Sequence, residues 1–251
     1  MKTYFDIPYG EFPDQQAIDL YLPETENFPT FVYFHGGGLE NGDRKHDTTL
    51  VEHLIARGMG VAMVEYRMYP AAAYPDFVRD AARSVAWVMK NIKNYGGSDR
   101  IYVGGSSAGG YLSMMLCFDK RWLAPYKIAP EQIAGYVHDA GQPTCHFNVL
   151  RERGIDSRRV MIDDSAPLYH IGAAETYAPM QFIVSDNDMP GRYEQTMLVM
   201  ATLRHFGYDF DKIDLKEMHG RHCAYVNAKD EQGESVLGKI VADFIEKTER
   251  K

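Results

Sequence analysis

The chain of 251 residues has few cysteines, and the three present, Cys117, Cys145 and Cys223, stand far apart. An odd and scattered set is not typical of a disulfide framework, so we expect reduced thiols and a cytoplasmic protein. The histidines at residues 219–223 have no second cluster of ligands at metal-binding spacing, so no metal is expected.

The sequence also lacks positive charge in excess, long apolar runs and an apolar leader. Its formal net charge is −8 at pH 7, whereas nucleic-acid binding usually requires a basic face, so no nucleic-acid partner is expected. No apolar run is long enough to span a membrane, and the first residues do not resemble a secretory signal. The composition is that of an ordinary globular protein, and we expect one domain over residues 1–251.

Apolar strands and amphipathic helices alternate along the chain. This pattern predicts an α/β fold with a mostly parallel central sheet and helices on both faces. Residues 17–22 alternate apolar and polar side chains before Pro23 and are predicted as a half-exposed edge strand. Residues 139–179 are predicted as an irregular, lid-like insertion that walls the site. Other strands are predicted at residues 29–34, 60–66, 101–103, 132–138, 180–184 and 212–218, with helices at 51–57, 77–92, 111–116, 193–206 and 235–247.

The glycine-rich stretch at residues 104–110 lies between a predicted strand and a predicted helix. From Gly105 it reads Gly-x-Ser-x-Gly with Ser107 at its centre, the pattern of a nucleophile elbow, in which a sharp turn lifts a serine hydroxyl out of the sheet. Such a turn needs neighbours without bulky side chains, here Gly105 and Gly109. A phosphate-binding loop would need lysine where Tyr111 stands, so the elbow is favoured.

Acidic and histidine side chains follow the last two predicted strands. Asp186 and Asp188 follow one strand, and His219 and His222 follow the other. With Ser107 earlier in the chain, this is the serine, acid, histidine order of hydrolases built on α/β sheets. Because the carboxyl ends of parallel strands lie at one edge of a sheet, we expect a single site there. Both aspartates and both histidines remain candidates on this reasoning.

These segments together resemble a known group of enzymes. His-Gly-Gly-Gly at 35–38, Gly-Ser-Ser-Ala-Gly-Gly at 105–110, Ser-Ala-Pro at 165–167, Asp188 and His222 are similar to the α/β-hydrolase esterases of the hormone-sensitive-lipase-like and feruloyl-esterase-like group. The resemblance covers nearly the whole chain. It favours Asp188 and His222, whose positions in their loops match those of relatives. The chain departs from the group at Ser106, where many relatives carry an acidic residue, and in lacking a long N-terminal cap.

The resemblance implies a serine hydrolase that needs no cofactor. Ser107 would attack an acyl carbon, His222 would take its proton, and Asp188 would orient the imidazole and stabilise its charged form. His35 is expected to brace the glycine loop rather than to act as a base.

The resemblance further implies an oxyanion hole made by the backbone N–H groups of Gly37, Gly38 and Ala108. Leu39, Ser106 and Gln142 are the candidate substrate-binding residues. The wider candidates for the pocket are the apolar side chains Leu39, Tyr69, Phe147, Leu150 and Met189 and the polar side chains Gln142, His146 and Arg192.

We therefore expect a serine carboxylesterase that hydrolyses short acyl or aryl esters through an acyl-enzyme, with sugar acetates among the candidate substrates. Two alternatives stay open: an arylformamidase or peptidase-like amide hydrolase with the same triad, and a non-catalytic ligand-binding protein on the same fold. The expected partner is a small-molecule ester, without a membrane or nucleic acid, and assembly into a homo-oligomer is left open.

Overall fold

The central sheet has eight strands in the part of the chain that the structure, a computed structural model, describes: residues 1–250, and for Thr48 the backbone alone. The strands are β1 (Lys2–Pro8), β2 (Ala17–Leu22), β3 (Phe28–Phe34), β4 (Gly60–Val64), β5 (Gly97–Ser106), β6 (Gly135–Asp139), β7 (Met180–Asn187) and β8 (Ile213–Arg221). Their order in the sheet is β1-β2-β4-β3-β5-β6-β7-β8. All pairs from β4 to β8 are parallel, and β2 is antiparallel to both its neighbours. The predicted mostly parallel sheet is confirmed.

Helices cover both faces of this sheet. They are α1 (Thr48–Ala56), α2 (Asp76–Asn91), α3 (Ala108–Phe118), α4 (Phe147–Glu152), α5 (Arg192–His205) and α6 (Val236–Glu249). Along β3, Phe31 and Tyr33 pack in the layer that holds α1 and α6, whereas Val32 and Phe34 pack in the layer that holds α2 and α3. Burial on both faces explains why this strand has no polar side, as expected for a parallel strand in the sheet interior. None of the described helices is both long and apolar enough to cross a bilayer.

The prediction of an edge strand at residues 17–22 was wrong. This segment is β2, which lies inside the sheet, and β1 forms the edge beside it. The polar member of the alternation, Asp19, is fully buried, and its Oδ1 lies 3.0 Å from Nε of Arg44. The alternation of apolar and polar residues therefore reflects a buried ion pair, whereas the prediction attributed it to a strand with one solvent-exposed face.

The predicted insertion at residues 139–179 begins at the last residue of β6 and is not wholly irregular. It contains α4 and a short 3₁₀ helix at Pro167–His170. Most side chains between residues 140 and 150 are buried. The insertion thus starts as packed structure at the carboxyl edge of the sheet, beside the end of β5.

Candidate active site

Ser107 occupies the sharp turn between β5 and α3. Its backbone has φ 57° and ψ −111°, a region that a non-glycine residue adopts only where the surrounding structure holds it. A Cβ atom on Gly109 would lie 1.9 Å from the carbonyl oxygen of Phe34. Only glycine at position 109 therefore lets α3 approach β3 closely enough to form this turn.

Ser107, His222 and Asp188 form one hydrogen-bonded chain. Nε2 of His222 lies 2.8 Å from Oγ of Ser107, and Nδ1 of the same ring lies 2.5 Å from Oδ1 of Asp188. The side chain of Asp188 is fully shielded from solvent, while that of His222 keeps 21% of its exposure. An imidazole held in this way can accept a proton from the serine while a carboxylate stabilises its charged form.

The environment of Asp188 keeps its carboxyl group ionised. Burial alone would raise its pKa, but the hydrogen bond with His222, the attraction to that ring and the backbone N–H of Met189, 2.7 Å from Oδ1, hold the pKa below its usual value. Asp188 is therefore an anion at neutral pH, as a partner for a charged imidazole must be.

The second acid and the second histidine form a separate pair at the surface. Oδ2 of Asp186 lies 2.6 Å from Nδ1 of His219, and the backbone N–H of Gly220 donates to Oδ1 at 2.9 Å. The His219 side chain is 97% exposed. The structure thus brings Asp188 and His222 to Ser107, and leaves Asp186 and His219 outside the site.

A cavity of about 650 Å³ opens above Ser107 and His222. Gly37 and Gly38 line it, with φ of 114° and 67°. Ala108 is the first residue of α3, where backbone N–H groups have no acceptor within the helix. The three residues predicted to supply oxyanion donors therefore stand around the serine. The cavity is also lined by apolar Phe147, Met189 and Val226 and by polar Glu40, Asn41, Asp47 and Asn227.

The glycine loop is braced from two sides. His35 is buried, stacks on Tyr66 with ring centroids 4.5 Å apart, and places Nδ1 2.7 Å from the carbonyl oxygen of Gly36. On the other side, the fully buried Asn148 of α4 donates from Nδ2 to the carbonyl oxygen of Gly38 at 3.1 Å. These contacts fix the loop beside Ser107.

Two of the three predicted substrate-binding side chains lie outside the cavity, which corrects that expectation. Leu39 has φ 64° and is fully buried in the hydrophobic core. Gln142 is also buried, and its Nε2 donates to Oγ1 of Thr144 and to the carbonyl oxygen of Cys145. Ser106 borders the cavity, but its hydroxyl points to a buried carboxylate, that of Asp139.

The wider pocket candidates divide in the same way. Phe147 and Met189 line the cavity, whereas Tyr69 and Leu150 do not. His146 and Arg192 are buried. Arg192 donates to the carbonyl oxygen of Ala140, and burial lowers the pKa of its guanidinium. Arg192 therefore lies outside the cavity lining and contacts the backbone of the insertion instead.

Sequence reasoning missed Asp47, Asp139 and Tyr225. The hydroxyl of Tyr225 donates to Asp139, and Asp47 borders the cavity. The position of Asp139 at the end of β6, next to the elbow strand, is a signal that could have identified it. Asp47 carries no such signal, because it lies in an irregular loop.

Cys223 follows the histidine directly and lines the cavity. Its Sγ lies 3.6 Å from Nε2 of His222, and burial raises the pKa of its thiol well above the usual value. In the described part of the chain, no group of three or more histidine, cysteine, aspartate or glutamate side chains could hold a metal ion.

The sequence matches the family model described as BD-FAE over residues 18–150, slightly more than half of the chain, and the protein belongs to this family. Among curated relatives, carboxylesterase NlhH of Mycobacterium tuberculosis (strain CDC 1551 / Oshkosh) is 37% identical over 149 residues, 53% of this chain and 46% of that protein. The probable isoprenylcysteine alpha-carbonyl methylesterase ICMEL1 of Oryza sativa subsp. japonica is 36% identical over 110 residues, 43% of this chain and 26% of that protein. The match thus spans less than half the length of either relative.

Solved structures with the same fold cover nearly the whole chain. A truncated form of a carbohydrate esterase from gut microbiota superimposes with a TM-score of 0.79 at 16% identity, over 100% of this chain and 97% of that one. Butyrate-bound Est2, an esterase of Thermogutta terrifontis, gives 0.75 at 19% identity, over 98% and 94%. The fold is that of the α/β-hydrolases, which confirms the resemblance found in the sequence.

Proposed function

We propose that this protein is a serine carboxylesterase that hydrolyses short acyl or aryl esters through an acyl-enzyme. The observation that carries this proposal is the hydrogen-bonded chain from Ser107 through His222 to the buried Asp188, at the base of an open cavity. The esterase names of the curated relatives and of the solved neighbours support the same chemistry.

The proposed reaction uses each member of this chain in turn. Ser107 Oγ attacks the acyl carbon while His222 Nε2 takes the hydroxyl proton, and Asp188 stabilises the resulting imidazolium. His222 then gives this proton to the departing alcohol, which leaves an acyl group on Ser107. A water molecule, deprotonated by the same imidazole, attacks the acyl carbon, and the released serine oxygen takes the proton back.

The negative charge that develops on the acyl oxygen needs donors that are already in place. The backbone N–H groups of Gly37, Gly38 and Ala108 would supply them, since these residues surround Ser107 and the glycine loop is braced by His35 and Asn148. Loss of one such donor typically costs about 3 kcal/mol of transition-state stabilisation.

The cavity supports a small-molecule substrate. Its volume of about 650 Å³ lies in the ordinary range of ligand sites. The side chains of Asn41, Asp47 and Asn227 could hydrogen-bond hydroxyl groups of the alcohol portion, which keeps sugar acetates among the candidate substrates. Within the insertion at residues 139–179, Phe147 contributes one wall, so we propose that this segment shapes the acyl or alcohol pocket.

Active-site labelling and turnover test the proposal together. The folded protein should release p-nitrophenol from p-nitrophenyl acetate and react with a fluorophosphonate probe, and Ser107→Ala should abolish both. Ser84→Ala is the matched control, because Ser84 is a buried serine on α2 whose hydroxyl donates to the local carbonyl oxygen of Ala81. It should keep both activities.

Other results would favour the alternative functions. Faster turnover of N-formylkynurenine than of any acetyl ester would favour an arylformamidase. Folded protein that neither reacts with the probe nor turns over any ester or amide would favour a non-catalytic binding protein.

We also propose a cytoplasmic location. All three cysteines are unpaired, as is usual for proteins in a reducing compartment. Fractionation of the native cells with an antibody against the protein tests this, and recovery outside the cytoplasmic fraction would contradict it.

A further inference from the structure

Asp139 is a buried carboxylate directly beneath the elbow. It ends β6 and is 1% exposed, and the charged groups that act most strongly on it are His222 and Asp188, not a lysine or arginine. The hydroxyl of Ser106 and the hydroxyl of Tyr225 both donate to its carboxylate, one to each oxygen. A buried anion without a cationic partner is costly unless hydrogen bonds satisfy it, so these two contacts are what keep it in place.

The same residue is attached to both segments that carry the reacting groups. Its carbonyl oxygen accepts the backbone N–H of Ser107 at 2.8 Å, and its side chain holds the neighbouring Ser106. Tyr225 lies three residues after His222, in a turn closed by the hydrogen bond from the backbone N–H of Val226 to the carbonyl oxygen of Cys223 at 3.1 Å. Asp139 therefore links the serine segment to the histidine segment through one side chain and one peptide group.

The hydrogen bonds continue from Ser106 to the cavity wall. The hydroxyl of Tyr33, on β3, lies 2.9 Å from Ser106 Oγ and 2.8 Å from Oδ2 of Asp47, and its single proton can be donated to either acceptor but not to both at once. Asn227, which follows the histidine turn, donates to the other oxygen of Asp47 at 2.9 Å. The network thus runs from the elbow through Tyr33 and Asp47 to the segment that follows His222.

Charged and titratable groups face Asp139 from every neighbouring segment. Tyr33 and Tyr225 are near it, and so are His222, Cys223 and Asp188. Burial raises the pKa of Asp139 to about 6, against the hydrogen bonds from Ser106 and Tyr225 and the attraction to His222, which lower it, while Asp188 raises it further. Asp139 is mainly ionised at neutral pH, and its charge attracts a protonated His222.

We propose that Asp139 is a positioning residue for the hydrolysis, which fixes Ser107 relative to His222 and stabilises the imidazolium that forms between them. The proposal rests on the function proposed above. It goes beyond it because Asp139 belongs to neither the triad nor the oxyanion hole. The carboxylate that holds this turn comes from the end of the neighbouring strand β6.

Asp139→Asn is the main test, because the amide keeps the size of the carboxylate but carries no charge and offers one acceptor oxygen instead of two. We expect kcat for p-nitrophenyl acetate to fall at least about tenfold with KM within about threefold of wild type. We also expect the acidic limb of the kcat/KM profile to move to lower pH by about half a unit, since the loss of a nearby anion disfavours the protonated imidazole.

Tyr225→Phe tests the same link with the carboxylate still present. It removes one donor to Asp139, and we expect a smaller fall in kcat, about threefold or more, without a large change in KM. Because the ring stays in place, this variant remains informative if Asp139→Asn does not fold, as judged by circular dichroism.

Asp80→Asn is the matched control. Asp80 is as buried as Asp139 and accepts hydrogen bonds from Gln16 and Arg67, but it lies on α2, away from the cavity. It should lower the melting temperature and leave both kcat and the pH profile unchanged.

The outcomes separate this proposal from the proposed function. If wild type hydrolyses esters in a Ser107-dependent way but folded Asp139→Asn and Tyr225→Phe keep kcat and the acidic limb of wild type, the positioning role is wrong and the esterase function stands. If Asp80→Asn moves the acidic limb of the kcat/KM profile as far as Asp139→Asn does, the change in the profile comes from lost stability and the positioning role is again wrong. If the Ser107→Ala variant hydrolyses esters as fast as the wild-type protein, the esterase function itself is wrong.

Discussion

Asp188 and His222 are joined by a contact of 2.5 Å between Oδ1 and Nδ1, and the carboxylate is completely shielded from solvent. We predict that Asp188→Asn lowers kcat by about 10⁴-fold, since an amide cannot stabilise the imidazolium and favours the wrong tautomer. Asp186→Asn, at the exposed pair with His219, should stay within about twofold of wild type. Steady-state kinetics on p-nitrophenyl acetate compares the two variants, and a larger loss for Asp186→Asn would reverse the assignment of the acid.

The loop beside the serine should tolerate no side chain at position 37. A Cβ on Gly37 would lie 1.8 Å from the carbonyl oxygen of Asn41, and the residue has φ +114°. Gly37→Ala should therefore displace the loop and reduce kcat about 100-fold, the usual effect of losing one oxyanion donor.

Gly58→Ala provides the matched control for Gly37→Ala. Gly58 also has a positive φ, +76°, but a Cβ there would meet nothing within 4 Å. Its substitution should cost about 1 kcal/mol of stability and leave kcat unchanged. Equal kcat in the two folded variants would show that the glycine loop takes no part in catalysis.

The hydrogen bond from Asn148 of α4 to the glycine loop should contribute to catalysis as well as to stability. Asn148→Ala leaves the carbonyl oxygen of Gly38 without its side-chain donor, at a cost of about 1–3 kcal/mol. We expect kcat to fall about tenfold because the loop loses one brace. Asn91→Ala removes a similar bond, from Nδ2 to the carbonyl oxygen of Trp87 at 2.8 Å, on a distant helix. The melting temperature should fall for both variants, whereas kcat should fall for Asn148→Ala alone.

The charge of the cavity should select against anionic esters. Glu40 and Asp47 line it, and among the residues that the structure describes no lysine or arginine does. p-Nitrophenyl acetate should therefore be preferred over p-nitrophenyl hemisuccinate.

Glu40→Gln tests this selection. Glu40 pairs with Arg151 and keeps 26% of its side-chain exposure. Its replacement by glutamine removes a negative charge from the cavity, so the preference for the acetate over the hemisuccinate should narrow about fivefold. This is the effect of roughly 1 kcal/mol for a solvated charge pair. Glu52→Gln makes the same charge change outside the cavity and should not alter the ratio of the two kcat/KM values. An unchanged ratio in Glu40→Gln would exclude a role for this carboxylate in selection.

The parallel sheet could be predicted because its strands are buried on both faces and read as apolar runs between helical patterns. Which strand lies at the edge of the sheet could not be predicted, because the burial of Asp19 depends on Arg44, which is 25 positions away in the sequence. β1 was missed because most of its side chains are exposed and give no hydrophobic signal.

The residues of the candidate site likewise divide into those that neighbouring residues identify and those that depend on contacts distant in the sequence. Ser107 is identifiable from sequence since the elbow depends on glycines within two residues of it. Asp139 and Tyr225 are 86 positions apart, so their contact exists only once the sheet has formed. Leu39 was misjudged because its positive φ turns the side chain from the glycine loop into the core.

The hydrogen bond from the backbone N–H of Ser107 to Asp139 makes the proposed nucleophile part of the ladder between two central strands. An amide in such a ladder exchanges with solvent mainly through cooperative opening of the sheet, whereas amides in surface loops exchange through local fluctuations. Ser107 is therefore held by the central sheet, whereas His222 and Gly37 are held in their loops by contacts with Asp188 and Asn41. We expect hydrogen–deuterium exchange to be slower at the Ser107 amide than at the amides of these two loops, because a loop can open without opening the sheet.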